Sequence, residues 1–250
     1  MIIRAYSGNH IGATGFFRNR ALNETVHDCV DALGRPSIQV LFHAVSVGAE
    51  AYSFVIQRTQ RRPGLDDTLC DATDIDAEFL HAAGQAYYPE KTLQAMTPDE
   101  SQWFEPAGLD RVQVKAEIRD RVRFLPTASY VEFGSDTDYD VVFLLNSLLY
   151  VDGPSQRRTI DHIARYNTGL LVTTGFHIDR IKEDLAENGY EPVSDNIAAI
   201  HDGWTERRSL KPGFMVPGIT HFTPYLPPFS RVPNWEYKYC AVFAKIGSLV

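Results

Sequence analysis

Short apolar runs alternate along the chain with stretches whose apolar residues recur at helical spacing, and this alternation predicts βαβ units. Residues 19–33 place Leu22, Val26, Val30 and Leu33 on one helical face, and Gly34 stands where such a helix stops. The run Ile38 to Ala44 reads as the first strand, 45–48 as a turn and Glu50 to Arg58 as the next helix. Thr68 to Thr73 is a second strand ending at Asp74, followed by a helix from Asp76 to Gly84 with Ala77, Leu80 and Ala83 on one side. Val122 to Leu125 and Tyr139 to Leu145 are the third and fourth strands. The latter carries Val141, Val142 and Phe143 in succession, as a strand buried on both faces does.

A helix over Pro154 to Tyr166, a strand over Leu170 to Thr174 and a helix over Asp179 to Asn188 continue the pattern. Ala198 to His201 is expected as the sixth strand and Tyr237 to Lys245 as the seventh. The pattern therefore predicts one doubly wound α/β domain over 1–250 with a mostly parallel, seven-stranded sheet and a short helical lead-in over 1–35.

Between the last two strands, 207–235 holds six of the fourteen prolines together with Phe214, Phe222, Tyr225, Phe229 and Trp235. Proline fixes φ and removes a donor, so the segment is irregular. It is either a lid whose Phe222 and Tyr225 wall a substrate pocket, with Arg207, Arg208 and Lys211 at its entrance, or a brace over a sheet edge.

Composition narrows the possibilities. Apolar residues make up 44% and charged residues 22% of the 250, as in an ordinary folding domain. The net charge of −8 argues against a phosphate-tracking partner, so no nucleic acid is expected. Cys29, Cys70 and Cys240 lie far apart, which fits reduced thiols and implies no metal. No apolar run approaches the roughly 18 residues that span a bilayer, so the expectation is a cytoplasmic protein without a membrane partner.

In such a sheet a ligand sits beyond the carboxyl ends of the strands. The turn after the first strand has Gly48 but neither GxGxxG spacing nor a P-loop Lys-Ser/Thr pair, so phosphate cradling is not indicated. What remains is a nucleoside cofactor held by its ribose and amino-acid parts. Asp74, at the second strand end, suits ribose hydroxyls; the bland reading is a helix cap, a role Asp76 fills better.

Four motifs then carry a resemblance. Gly15-Phe16-Phe17-Arg18 is similar to the Phe-Phe-Arg motif of CheR-type chemotaxis receptor methyltransferases, and Ser46-Val47-Gly48-Ala49-Glu50-Ala51-Tyr52-Ser53 to their Ser-Thr-Gly-Glu-Glu-Pro-Tyr-Ser loop. Ala72-Thr73-Asp74-Ile75-Asp76 matches their Ala-Thr-Asp-Ile-Asp, and Asn146 to Asp152 with Gln156-Arg157 resembles their Asn-Val-Leu-Ile-Tyr-Phe-Asp and the Gln-Arg that follows. The resemblance implies a Rossmann-like class I methyltransferase fold and S-adenosylmethionine as methyl donor. It also implies cofactor roles for Ser46 and Gly48 in the loop, Glu50 and Asp74 at the amino-acid and ribose portions, Ile75 against the adenine, and Asn146 and Ser147 beside the cofactor. Departures are Ala44 and Ala49, where the family has glycine and glutamate, and the family's helical domain ahead of Phe-Phe-Arg, where some fifteen residues stand here.

Methyl transfer is a direct displacement, so the main task is to hold the acceptor in line with the methyl group. A carboxylate acceptor needs no base, whereas an alcohol or protonated amine does. The candidate catalytic residues are Arg18, Tyr150 and His177, with His201-Asp202 and His221 as further histidines. Arg18 either clamps an acceptor carboxylate through its planar fork or pairs with a neighbouring acid. The expected function is methylation of a small-molecule carboxylate or amine; the alternatives are methyl-ester formation on a protein glutamate and a non-catalytic cofactor-binding module.

Overall fold

The computed structural model describes residues 2–8, 10–64, 68–174, 180–203 and 235–249. His177 and the segment 207–234, with Phe222 and Tyr225, lie outside them, as does His221. Seven strands form a mostly parallel sheet flanked by helices. The contacts fall into two compact units, 1–18 with 36–130 and 19–35 with 131–250.

The first unit opens with a hairpin of β1 (Ile3–Ser7) and β2 (His10–Thr14), antiparallel with Tyr6 opposite Ile11. The helical lead-in expected over 1–35 is therefore helical only in its second half. β3 (Ile38–Phe42), the helix α2 (Ala49–Arg61) and β4 (Thr68–Ala72) follow, with β3 and β4 parallel from Ile38↔Thr68 to Phe42↔Ala72. α3 (Ala77–Gln85) leads into a second sheet of β5 (Tyr87–Pro89), β6 (Phe104–Pro106) and β7 (Arg111–Val114), with β7 in the middle. The short helices α4 (Pro98–Ser101) and α5 (Ala116–Arg119) precede β8 (Val122–Phe124), which pairs parallel with β4.

The second unit takes α1 (Arg20–Ala32), opened by Asn19, whose side chain accepts the Leu22 N–H and donates to Ile200 O at 2.7 Å. Leu22, Val26 and Val30 form its buried stripe, each 1% exposed, and Gly34 takes φ +64° beyond its end. β9 (Tyr139–Leu144) is buried along its length and pairs parallel with β10 (Asn167–Thr173). Between them lies α6 (Gly153–Tyr166), capped by Asp152. α7 (Ile181–Glu187), β11 (Tyr190–Pro192), α8 (Ile197–Gly203), α9 (Trp235–Tyr239) and β12 (Val242–Lys245) complete the unit, β12 running antiparallel to β10 and β11.

Two expected strands change. Residues 198–201 are helical, because Ile197 and Ile200 stand three apart and both bury on the side of α8 that meets α1. The sixth strand in chain order is instead β11, a three-residue element after Gly189 that is too short to show a period. The seventh strand shrinks to Val242–Lys245, since Trp235–Tyr239 forms a helical turn. Cys29, Cys70 and Cys240 are buried free thiols. No helix among the described residues is long and apolar enough to cross a membrane.

Candidate active site

The chain leaves β3 through a tight loop in which Ala44, Ser46 and Gly48 take φ of +50°, +54° and +86°. The left-handed region is unfavourable for residues with a Cβ and gathers at functional sites. Fixed partners hold this loop there. Val45 N–H donates to Thr73 O at 3.2 Å, Ser46 N–H to Asp74 Oδ2 at 2.8 Å, Gly48 N–H to Val45 O at 3.0 Å, and the Tyr88 hydroxyl to Val47 O at 2.6 Å. A Cβ on Gly48 would also stand 3.1 Å from Ala83 Cβ and 3.3 Å from Tyr52 Cε2, so both conformation and space require glycine. Ser46, Gly48 and Asp74 are thus brought together as the sequence implied.

At the end of β4 two acids divide the work. Asp76 caps α3 by accepting the Glu78 and Phe79 N–H groups at 2.9 and 3.2 Å. His10 Nδ1 lies 2.8 Å from its other oxygen, and that bond leads the interactions holding the Asp76 carboxyl down to about 2. Asp74 accepts from Ser46 N–H on one oxygen and from Asp76 N–H at 3.1 Å on the other. Burial raises its carboxyl above the usual range, opposed by those backbone bonds. Ile75 between them is 59% exposed, an apolar side chain left uncovered beside the acid.

The Phe-Phe-Arg segment follows β2. Phe16 packs edge-on against Tyr88 and Phe104 with ring centroids 4.7 and 5.0 Å away, and Phe17, at φ +49°, donates its N–H to Ser53 Oγ at 3.0 Å. These anchors aim Arg18, whose Nη1 donates to Ala13 O at 3.3 Å and stands 3.6 Å from Glu50 Oε1. Of the two readings of Arg18, the structure displays the pair with a neighbouring acid. Glu50 lies in the first turn of α2, where a negative charge meets the positive end of the helix. Burial nonetheless pushes its carboxyl up to about 7, Arg18 acting in the opposite direction.

Sequence reasoning missed Thr14 and Gly12. The Thr14 Oγ1 and Ser46 Oγ are both buried without a hydrogen-bond partner among the described residues, in side chains 2% and 6% exposed. Gly12, on the same face of β2 as Thr14, lies so close that a Cβ would come within 2.2 Å of Ser46 Oγ. The segment His10 to Thr14 carries no local signal for this, because its apolar Ile11 and Ala13 are the exposed positions while Gly12 and Thr14 are buried.

The second unit carries Asn146, Ser147 and Tyr150. Asn146 takes φ +56° just beyond β9, and its Oδ1 accepts from the Thr174 hydroxyl at 3.2 Å. The Ser147 hydroxyl donates to Leu145 O at 2.9 Å. Tyr150 ends a 3-10 turn, 70% exposed. Gln156 braces that turn by donating to Leu148 O and Val151 O at 3.1 and 3.0 Å, while Arg157 pairs with Glu187 and approaches Asp184 at 3.8 Å. His201 is interior, its ring edge-on to Tyr239 at 5.2 Å, on a helix instead of a strand end.

Residues 12–175 match the family model of the CheR methyltransferase SAM-binding domain. The chain is similar to a chemotaxis protein methyltransferase of Vibrio anguillarum, 27% identical over 139 residues that cover 53% of this chain and 50% of that protein. A probable chemotaxis protein methyltransferase of Rhizobium etli is 27% identical over 200 residues, 74% of this chain and 71% of that protein. The chain spans about half the length of the Vibrio relative. Among solved structures, magnesium protoporphyrin IX methyltransferase from Synechocystis PCC 6803 with bound SAM aligns at a TM-score of 0.42 and 19% identity, covering 70% of this chain and 71% of that one.

Proposed function

The chain belongs to the CheR methyltransferase family, and from that premise we propose that it transfers the methyl group of S-adenosylmethionine to a carboxylate. The observation that carries the cofactor reading is the pair of buried hydroxyls on Thr14 and Ser46, which meet no hydrogen-bond partner among the described residues. Such groups are costly, on the order of 1–3 kcal/mol each, and are tolerated where a ligand completes them. Around them stand groups of the chemistry the cofactor needs. Glu50 suits its ammonium, and Asp74 suits ribose hydroxyls, because a carboxylate accepts hydrogen bonds. Exposed Ile75 offers an apolar surface to the adenine. For Asn146 and Ser147 the family resemblance alone implies a place beside the cofactor.

When bound, the cofactor supplies a methyl group activated by its sulfonium. The chain has only to orient the acceptor and keep its charge. A carboxylate carries its nucleophilic electron pair at neutral pH and gives up no proton. This fits two of the described histidines: buried His43, whose ring burial pushes down to about 3, and exposed His10, which is committed to Asp76. A small carboxylate is the leading acceptor, with Phe222, Tyr225, Tyr150 and His177 as its candidate contacts. A glutamate side chain on a protein is the second reading, favoured by the names of the relatives.

The test is transfer from methyl-tritiated S-adenosylmethionine into separated low-mass and protein fractions of a cell extract. Label released as methanol by mild alkali marks a methyl ester, and the fraction that carries it chooses between the two acceptors. Alkali-stable label would exclude a carboxylate.

A further inference from the structure

We propose that His10 is a positioning residue: through Asp76 it latches the β1–β2 hairpin onto the loop after β3, so that hairpin docking and cofactor binding reinforce each other. The coupling to the cofactor rests on the reading above, in which that loop holds it. The hairpin gains little from apolar burial. Its buried positions, Ser7, Gly12 and Thr14, are small or polar, whereas Tyr6 and Ile11 are 67% and 69% exposed. A two-stranded hairpin is marginal in water by itself, so polar contacts must hold it in place.

Those contacts converge at the hairpin tip, where Ser7 and His10 are the last pair before the turn. Asp76 accepts from both, from His10 Nδ1 at 2.8 Å and from the Ser7 hydroxyl, and the His10 bond leads in holding its carboxyl down to about 2. The ionised carboxylate can only accept, so Nδ1 carries the proton. The other oxygen meanwhile takes the Glu78 and Phe79 N–H groups at the start of α3. From Asp76 the bonds run on to the loop: its N–H donates to Asp74 Oδ1 at 3.1 Å, and Asp74 Oδ2 accepts the Ser46 N–H at 2.8 Å. The hairpin closes on that same loop, because Gly12 sits where a Cβ would collide with Ser46 Oγ and stand 3.1 Å from Phe79 Cε2. His10, Asp76, Asp74, Ser46 and Gly12 therefore form one ring of contacts within the first unit. Whatever fixes Ser46 also favours the docked hairpin, and the converse holds by linkage.

The experiment is amide hydrogen exchange on the full chain, read at β1, β2 and Ser46, together with calorimetric titration by S-adenosylhomocysteine. His10→Ala removes the latch and leaves Asp76 to cap α3. Exchange at those amides should rise about tenfold with β3 and β4 unmoved, and Kd should rise about fivefold. His10→Asn, whose Nδ2 donates where Nδ1 did, should restore most of both. Unmoved exchange at the hairpin and Ser46 in His10→Ala, or a rise shared equally by β3 and β4, would overturn the latch; an unchanged Kd would overturn its coupling to the cofactor. Should His10→Ala fail to fold, wild type decides: S-adenosylhomocysteine must slow exchange of the β1 and β2 amides, and no slowing refutes the coupling. Wild-type chain that binds no S-adenosylhomocysteine sinks the functional reading alone. The latch is then read from the nitrogen NMR signals of His10, which must show the proton on Nδ1; a bare Nδ1 refutes it.

Discussion

Arg18 Nη1 stands 3.6 Å from Glu50 Oε1, and the pair couples the Phe-Phe-Arg segment to the first turn of α2. Burial raises the Glu50 carboxyl to about 7 and Arg18 restrains that rise, so the carboxylate is poised to lose its proton when a cation arrives. If Glu50 receives the cofactor ammonium, binding near pH 6.5 should release a proton. Calorimetry in buffers of different ionisation enthalpy measures this directly, and affinity should fall as pH drops below about 7. In Glu50→Gln both effects should vanish.

The same shift sets a stability trend for the cofactor-free protein. The folded carboxyl titrates near 7 and the unfolded one at 4.5, so the folded state holds more protons between these values. The contribution of Glu50 is fully present below 4.5 and is lost as pH rises through 7. Denaturant unfolding of wild type and Glu50→Gln should therefore diverge in pH slope over that window, with wild type losing stability relative to the variant as pH rises.

Arg18→Lys keeps the charge but gives up the planar guanidinium whose Nη1 reaches both Ala13 O and Glu50. Turnover should fall at least tenfold. Removing the charge altogether in Arg18→Ala should shift the proton release of Glu50 to higher pH. A wild-type rate in Arg18→Lys would leave the arginine a purely structural cation.

Gly12 and Ser46 are predicted to be coupled. A Cβ at 12 would fall 2.2 Å from Ser46 Oγ, a separation no packed structure keeps. Gly12→Ala should destabilise the chain by about 1–3 kcal/mol, the usual cost of overpacking. Adding Ser46→Gly, which removes the obstructing hydroxyl, should restore part of the loss in thermal unfolding. Additive losses would place the strain elsewhere.

The long elements were legible because their periods are long. Residues 19–33, 50–58 and 154–166 show helical stripes, and the run at 139–145 shows a doubly buried strand. The hairpin of β1 and β2 and the small sheet of β5, β6 and β7 were not, since strands of three to five residues carry too few positions to reveal alternation. Ala198 to His201 misled for a related reason: four apolar-rich residues do not separate a strand from one turn of a buried helix. In the site, Ser46, Gly48 and Asp74 could be read from motif order. The role of Thr14 depends on a strand pairing that no local pattern displays.

The central claim is that the Ser46 to Ser53 loop and Asp74 hold S-adenosylmethionine. Its most direct test is calorimetric titration of wild-type chain and Asp74→Ala with S-adenosylhomocysteine. Asp74 binds the Ser46 and Asp76 N–H groups and is proposed to bind the ribose hydroxyls, so its loss should weaken affinity by about one to two decades, on the order of 1.5–3 kcal/mol. Saturable binding by wild type with that loss in the variant is the predicted result. No binding by folded wild type, or equal affinity in Asp74→Ala, would contradict it.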